Sequence, residues 1–368
     1  MNMILPRRAG VPPRLQAARQ VAEDARERGP ALDADGAFPD REIDSLHVAG
    51  LLAAPLDWQQ DGEEGAALLA QVLMAVGAGS LPLGRIYEGH VNAVGLVARH
   101  GGLAAQALLR AELAAGRLYG VWNTDDRAAP LRLERDGAGG GVLRGRKILA
   151  SGAGWVERPL VTAATPDGAV MVVPRLRRGV RADLSSWQAQ GMRASATGAV
   201  DLDGVEVSGA EIIGMPGDYL RQPHFSAGHW RCLAVQTGGM AELLMLLRRH
   251  LVGAGRGGDA MQRSRVADCA IALETARLWV DRAARMAADP GPDAAEAVVA
   301  YVNLARGAVE GGAAQLIADL QRSVGLVGFM RPHPIERVSR DLSTYLRQPA
   351  PDYALQSGAE HVLAQETW

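Results

Sequence analysis

From Leu15 to Arg28 the apolar positions Leu15, Ala18, Val21 and Ala22 recur at three- to four-residue spacing, which predicts an amphipathic helix. A second helix opens after Pro39 with Ile43, Leu46 and Leu51 apolar, and Gly50 and Pro55 close it. Helical spacing continues through 66–80, 86–101 and 102–117. At Leu118 the period changes. LYGVWNTDD, PLRLERDGAGGGVLRGRKILASG, PLVTAAT, AVMVVPRL and AVDLDGVEVSG alternate or run apolar over strand lengths between Gly, Asp and Pro turns. The DGAGGG stretch at 136–141 reads as a hairpin turn. From His229 the helical period returns in four segments, 229–251, 258–288, 292–320 and 334–347, joined by short Gly/Pro breaks. The expected fold class is α+β: an N-terminal α-helical domain over 1–117, a middle β-barrel-like or sandwich domain over 118–215, and a C-terminal four-helix bundle over 216–368. The proline- and arginine-rich first 13 residues read as a loose arm.

At 368 residues the chain is long enough to bury a large core, and with aromatics at 4% its helices must pack on aliphatic contacts. A net charge of −2 argues against nucleic acid or an anionic membrane as partner. Cys232 and Cys269 lie in helical sequence without metal-ligand spacing, so they read as reduced thiols and no metal is expected. No apolar run approaches membrane-spanning length and the start has no signal-peptide apolar region, so the expected location is the cytoplasm. The glycines of 136–141 neither follow GxGxxG spacing nor open a helix, which excludes a Rossmann reading.

The segment 321–341, QRSVGLVGFMRPHPIERVSRD, carries the strongest motif. Glycines at 325 and 328 let backbone N–H groups approach a ligand, and the helix N-terminus that follows favours an anion. An ordinary helix–turn–helix corner would also have this local pattern. Gln321…Gly325…Gly328-Phe329, then His333-Pro334…Glu336-Arg337…Arg340-Asp341, resembles the adenine-binding segment of the acyl-CoA dehydrogenase superfamily. That resemblance extends in order along nearly the whole chain. It implies FAD as cofactor, an acyl or acyl-like small-molecule substrate, an electron acceptor, and a homodimer or homotetramer.

The resemblance also implies where a flavin would lie. Trp122 and Thr124, in Tyr119–Asp125, stand where the family has an aromatic and a Thr-Glu pair, although the Gly-Ser-Asp half of that loop is missing. Ser151 and Gly152, in Gly145–Ala153, resemble the end of the Lys-x-x-Ile-Thr-Asn-Gly strand, in a Ser-Gly-Ala form closer to the flavin-dependent monooxygenases of the family. This alignment puts Ile148 at the flavin-facing aromatic position. Gly191–Thr197 resembles the Gly-x-Arg-x-Ser-x-Thr strand. Arg256, with Arg248 and Arg249 as competitors, matches the arginine that meets the flavin pyrophosphate of a neighbouring subunit.

Removal of an α-proton from an acyl thioester needs a base. In most of the family this is the Glu of Tyr-Glu-Gly, eight residues after the Arg-Asp; here that position is Pro349. Tyr87-Glu88-Gly89 repeats the tripeptide in an N-terminal helix, where Glu88 reads as a structural or surface carboxylate. The remaining candidates are Asp352, in a PAPD turn, and His229, which stands where a minority of the family carries its base and which could equally cap its helix. The monooxygenase branch uses a His soon after the Arg-Asp, but His361 is twenty residues on. Three functions therefore stand at the level of sequence: an acyl-CoA dehydrogenase-type flavoenzyme, a flavin-dependent monooxygenase, and a non-catalytic subunit of a hetero-oligomer.

Overall fold

The computed structural model describes residues 11–137, 139–347 and 350–366. Among the described residues six helices come first: α1 (Pro13–Asp35), α2 (Asp40–Val48), α3 (Ala54–Gln60), α4 (Gly62–Gly79), α5 (Leu81–His100) and α6 (Leu103–Ala114). Proline begins α1 where no helical N–H is needed, and Gly36, left-handed at φ 62°, ends it. Ser80 caps α5 by accepting the Leu83 N–H at 3.3 Å.

Ten strands follow among the described residues: β1 (Tyr119–Trp122), β2 (Arg132–Arg135), β3 (Gly141–Arg144), β4 (Arg146–Ala150), β5 (Arg158–Thr165), β6 (Gly168–Val172), β7 (Ala182–Asp183), β8 (Gly198–Asp201), β9 (Glu206–Val207) and β10 (Ile212–Ile213). One sheet runs β10-β6-β5-β2-β3-β9 with β1 parallel to β5, and a second runs β4-β8-β7. The expected hairpin is β2–β3, with Arg135 opposite Gly141. Gly145, at φ 110°, carries the chain from one sheet to the other; a Cβ there would sit 2.6 Å from the Pro130 carbonyl oxygen.

The chain closes with α7 (His224–Ala227), α8 (Trp230–Gly253), α9 (Ala260–Met286), α10 (Ala295–Val324), α11 (Pro334–Tyr345) and α12 (Pro351–Ala364). Four of these match the expected bundle segments. The structure adds α12, where the sequence suggested a turn at PAPD. Proline at its first position made the start look like a break, yet proline is favoured there. The position opposite the family glutamate, Pro349, lies outside the described residues.

Scarcity of aromatics shows in how the layers meet. A Cβ on Gly77 of α4 would lie 2.4 Å from the Val235 carbonyl oxygen of α8, and one on Gly238 would lie 2.2 Å from that of Met74. The two backbones touch, and α4 joins the N-terminal helices to the bundle in one continuous core.

Helix α5 is tied to the sheet by His90. Its Nε2 faces the Leu52 carbonyl oxygen at 2.8 Å, and its Nδ1 accepts the Tyr119 N–H at 3.1 Å. Only the neutral Nε2–H tautomer satisfies both, and burial pulls the group down to about 4. As pH falls from the unfolded value toward that folded value, the unfolded chain gains a proton that the folded one refuses, so stability falls. Between pH 8 and pH 5 this single group is expected to remove about 2 kcal/mol. Urea unfolding at the two pH values should show wild type losing that much more than His90→Gln. Equal losses would rule out the buried neutral ring as the cause.

Candidate functional site

The residues selected from the sequence fall into two groups. In the first, three segments distant in sequence converge at the ends of β1 and β4. The Trp122 indole N–H donates to the Ser151 carbonyl oxygen at 2.8 Å, and the Ile148 N–H donates to that of Thr124 at 2.9 Å. Gly152 donates its N–H to Ser195 O at 2.8 Å, and the hydroxyls of Ser195, Thr197 and Ser151 form a line with steps of 2.7 and 3.4 Å.

Lys147 underpins this group. It is fully buried, and its ammonium donates to Asp125 Oδ1 at 2.6 Å and Thr162 Oγ1 at 3.3 Å, which holds the Asn123–Asp125 loop on β4. Burial lowers its pKa against the opposing pull of Asp125. Trp122 is buried whereas Thr124 is exposed. The register of β4 against β8 shifts between Lys147 and Ala150, and Leu149 adopts φ 53° within that bulge. The bulge turns Leu149, not Ile148, out to solvent. Thr197, the middle member of that line, borders a cleft of about 390 Å³ together with Trp187, Gln190, Arg193, Gly36 and Arg331.

The second group lies at the far end of α10. Arg256 donates to the Ser323 carbonyl oxygen at 3.1 Å. With its amide oriented to its neighbours, Gln262 links Ser323 Oγ at 2.9 Å to Arg256 at 2.7 Å. Gln321 lies in the last turn of α10, and Gly325 and Gly328 in the tight turn that follows it. Gly325 takes φ 76° in open space. Gly328 is buried, and a Cβ on it would press Val324 at 3.1 Å, so its smallness serves packing. Leu326, Val327, Phe329 and Met330 are exposed around this turn.

The two catalytic candidates do not meet. Asp352 is exposed in the first turn of α12, not in a loop. His229 precedes α8 but makes no capping hydrogen bond with its ring; Nδ1 contacts the Ser226 carbonyl oxygen at 2.9 Å. Burial, and then Arg306, hold its pKa below the ordinary value.

Sequence reasoning passed over the groups beside His229. Glu88, read from the sequence as a structural or surface carboxylate, is buried. Arg85 donates to its Oε2 at 2.5 Å and Asn92 to its Oε1. Asn92 in turn accepts from Arg231 at 3.1 Å. Burial pulls Arg231 down to about 10, and burial, with Glu88 nearby, pushes the Cys232 thiol up to about 12. On α5, positions 85, 88 and 92 share a face by helical spacing, a signal that was present in the sequence. The approach of Arg231 was not.

No family model matches the chain. A glutaryl-CoA dehydrogenase of Desulfococcus multivorans is 29% identical over 218 residues, 55% of this chain and 54% of the relative. An L-evernosamine nitrososynthase of a Micromonospora strain is 30% identical over 230 residues, 57% of this chain and 54% of the relative. The chain thus spans about half the length of the curated relatives it matches. Among solved structures, KijD3 in complex with dTDP superposes with a TM-score of 0.82 at 23% identity, covering 97% of this chain and 99% of that one. The dibenzothiophene monooxygenase TdsC of Paenibacillus sp. A11-2 gives 0.80 at 18%, covering 95% and 97%. Butyryl-CoA dehydrogenase of Megasphaera elsdenii gives 0.80 at 16%, covering 99% and 100%. The structural likenesses show a helix–sheet–helix fold of acyl-CoA dehydrogenase type. With the two sequence relatives, they place the chain in the acyl-CoA dehydrogenase superfamily.

The turn after β4 depends on Gly152, which has φ 74°; a Cβ there would lie 2.7 Å from Val156 Cγ2 and 3.3 Å from Ile86 Cδ1. Gly152→Ala is therefore expected to destabilise the protein by roughly 2 kcal/mol, from left-handed strain plus overpacking. Chemical denaturation measures this. A variant as stable as wild type would show that the turn is not held as described.

Proposed function

We propose that the protein is a flavin-dependent oxidoreductase whose flavin lies along the face made by Trp122, Thr124, Ser151 and Gly152. The observation that carries this is the hydrogen-bonded convergence of Trp122, Ser151 and Gly152 with Ser195 and Thr197, beside a cleft that Thr197 borders together with Arg193 and Arg331. That donor set suits a flavin: hydroxyls and backbone groups for the ring and ribityl chain, and cations for the phosphate. When bound, the flavin would accept a hydride or, once reduced, engage oxygen.

We further propose FAD, with the adenine half taken by Arg256 and the Gln321–Gly328 turn of a second copy of the chain. The exposed apolar side chains around that turn suit an interface between copies, as in a homodimer or homotetramer. FMN would leave this second group without a ligand. The favoured reaction is α,β-dehydrogenation of an acyl or acyl-like substrate. His229 would take the proton, since its Nδ1 is engaged by Ser226 and a neutral ring leaves Nε2 to accept. Exposure of Asp352 on α12 supports His229 over it.

A second reading, monooxygenation, is favoured by the Ser151-Gly152-Ala153 turn after β4 and needs no carboxylate base. A non-catalytic subunit remains the alternative from another class.

The test is the visible spectrum of the purified protein, followed by chromatography of the chromophore released on denaturation. Flavin bleached by anaerobic addition of mixed acyl-CoAs is expected, with bleaching slowed at least ~100-fold in His229→Ala. Flavin that stays oxidised until chemically reduced, and then consumes oxygen with substrate turnover, replaces dehydrogenation with the second reading. No flavin after incubation with excess FAD and FMN overturns both.

A further inference from the structure

Charged groups meet in a recess on the bundle side of β1. Arg85, Glu88 and Asn92 project from one face of α5, and Arg231 approaches from the first turn of α8. The recess borders the candidate flavin face. A Cβ on Gly89 would lie 3.7 Å from Arg85 Nη1 and 3.8 Å from the Val121 N of β1. Ile86, on the next face of α5, reaches Gly152.

The charges here do not balance. Arg85 is satisfied by Glu88 at 2.5 Å, and both Glu88 oxygens are taken, one by Arg85 and one by Asn92. Arg231 is left with neutral oxygens only: Asn92 Oδ1 at 3.1 Å and the Gly228 carbonyl at 3.4 Å. Its Nε is buried without a hydrogen-bond partner, while the residue as a whole is half-buried and so reachable. The guanidinium also lies over the Trp230 ring, 5.0 Å from its centroid, which fixes its plane. Glu88 lies near Arg231 but makes no hydrogen bond to it; desolvating a cation with no carboxylate in direct contact is costly, and a planar fork held in place suits a two-oxygen anion.

We propose that Arg231 is an anion-recognition residue, and that the recess takes a substrate bearing a carboxylate or phosphate group. Arg85, Glu88 and Asn92 form the frame that aims it. Calling the ligand a substrate rests on the oxidoreductase reading; the anion site does not.

The experiment is isothermal titration of the full chain, with whatever cofactor it retains, against succinate, inorganic phosphate and the neutral analogue succinamide. At least one anion should bind, and succinamide should not. Arg231→Gln should weaken that anion by about tenfold or more, and Arg231→Lys should recover part of the loss. Asn92→Asp, which sets a competing carboxylate beside an intact Arg231, should give a similar loss and guards against misfolding of the arginine variants. The tighter of the two anions identifies the group recognised. Failure of both anions to bind, equal binding of succinamide, or unchanged affinity in both Arg231→Gln and Asn92→Asp overturns the proposal. A spectrum of the same samples separates the two readings. Arg231-dependent binding in a protein that takes no flavin sinks the oxidoreductase and keeps the anion site; flavin without Arg231 dependence does the reverse.

Discussion

One guanidinium holds the three regions of this protein in register. Arg340 of α11 grips Asp33 of α1 with two nitrogens, at 3.1 and 2.8 Å, and Glu336 of its own helix at 2.7 Å. The same side chain donates to the Gln190 carbonyl oxygen at 2.5 Å, in the loop that leads to the Ser195–Thr197 hydroxyls. Its neighbour Asp341 accepts the Met192 N–H at 2.6 Å, although burial pushes that carboxyl up to about 6. Gly191 must be glycine for this contact, since a Cβ would fall 2.2 Å from the Arg340 carbonyl oxygen. The cluster is nearly dry, and because Glu336 also pairs with Arg340, it is Asp33 that ties α1 to α11 while Glu336 keeps the guanidinium compensated. The cleft beside Thr197, bordered by Gly36, Gln190 and Arg331, lies between segments that this arginine fixes relative to one another.

Much of the fold was legible because its signals are local. The change of period at Leu118, its return at His229 and the glycine turn at 136–141 all correspond to elements in place. The Arg340-Asp341 pair was legible as a motif, but its work was not. Its contacts with Asp33 and Met192 span 307 and 149 positions of sequence. The bulge that turns out Leu149 in place of Ile148 was also beyond reach, because a left-handed leucine has no sequence signature. Asp352 was misplaced for a local reason, since a proline that opens a helix and one that makes a turn look alike.

The recess shows a different kind of blindness. Glu88 sits in a tripeptide whose family role belongs elsewhere in the chain, and setting it aside for its position was sound reasoning about that role. It also drew attention from the helix face that Glu88 shares with Arg85 and Asn92. Position along a motif says nothing about what a side chain meets across a helix interface. Here it meets Arg231 through Asn92, across 139 positions.

Composition and chemistry are linked through the same interface. With few aromatics, α4 and α8 approach until glycine faces carbonyl, and this seam is rigid because neither backbone can slide without a clash. Helix α8 is thereby held by its middle, through Gly238, while its first turn projects past the seam toward α5. A cation on that turn keeps a fixed position without a carboxylate to anchor it. That is the condition under which a lone guanidinium can be kept for a ligand instead of being spent on the fold. The superfamily fold hosts several chemistries, so the fold alone does not choose among them. The charge left unbalanced at Arg231 is a property of this chain's own residues, and it bears on the substrate where the fold cannot.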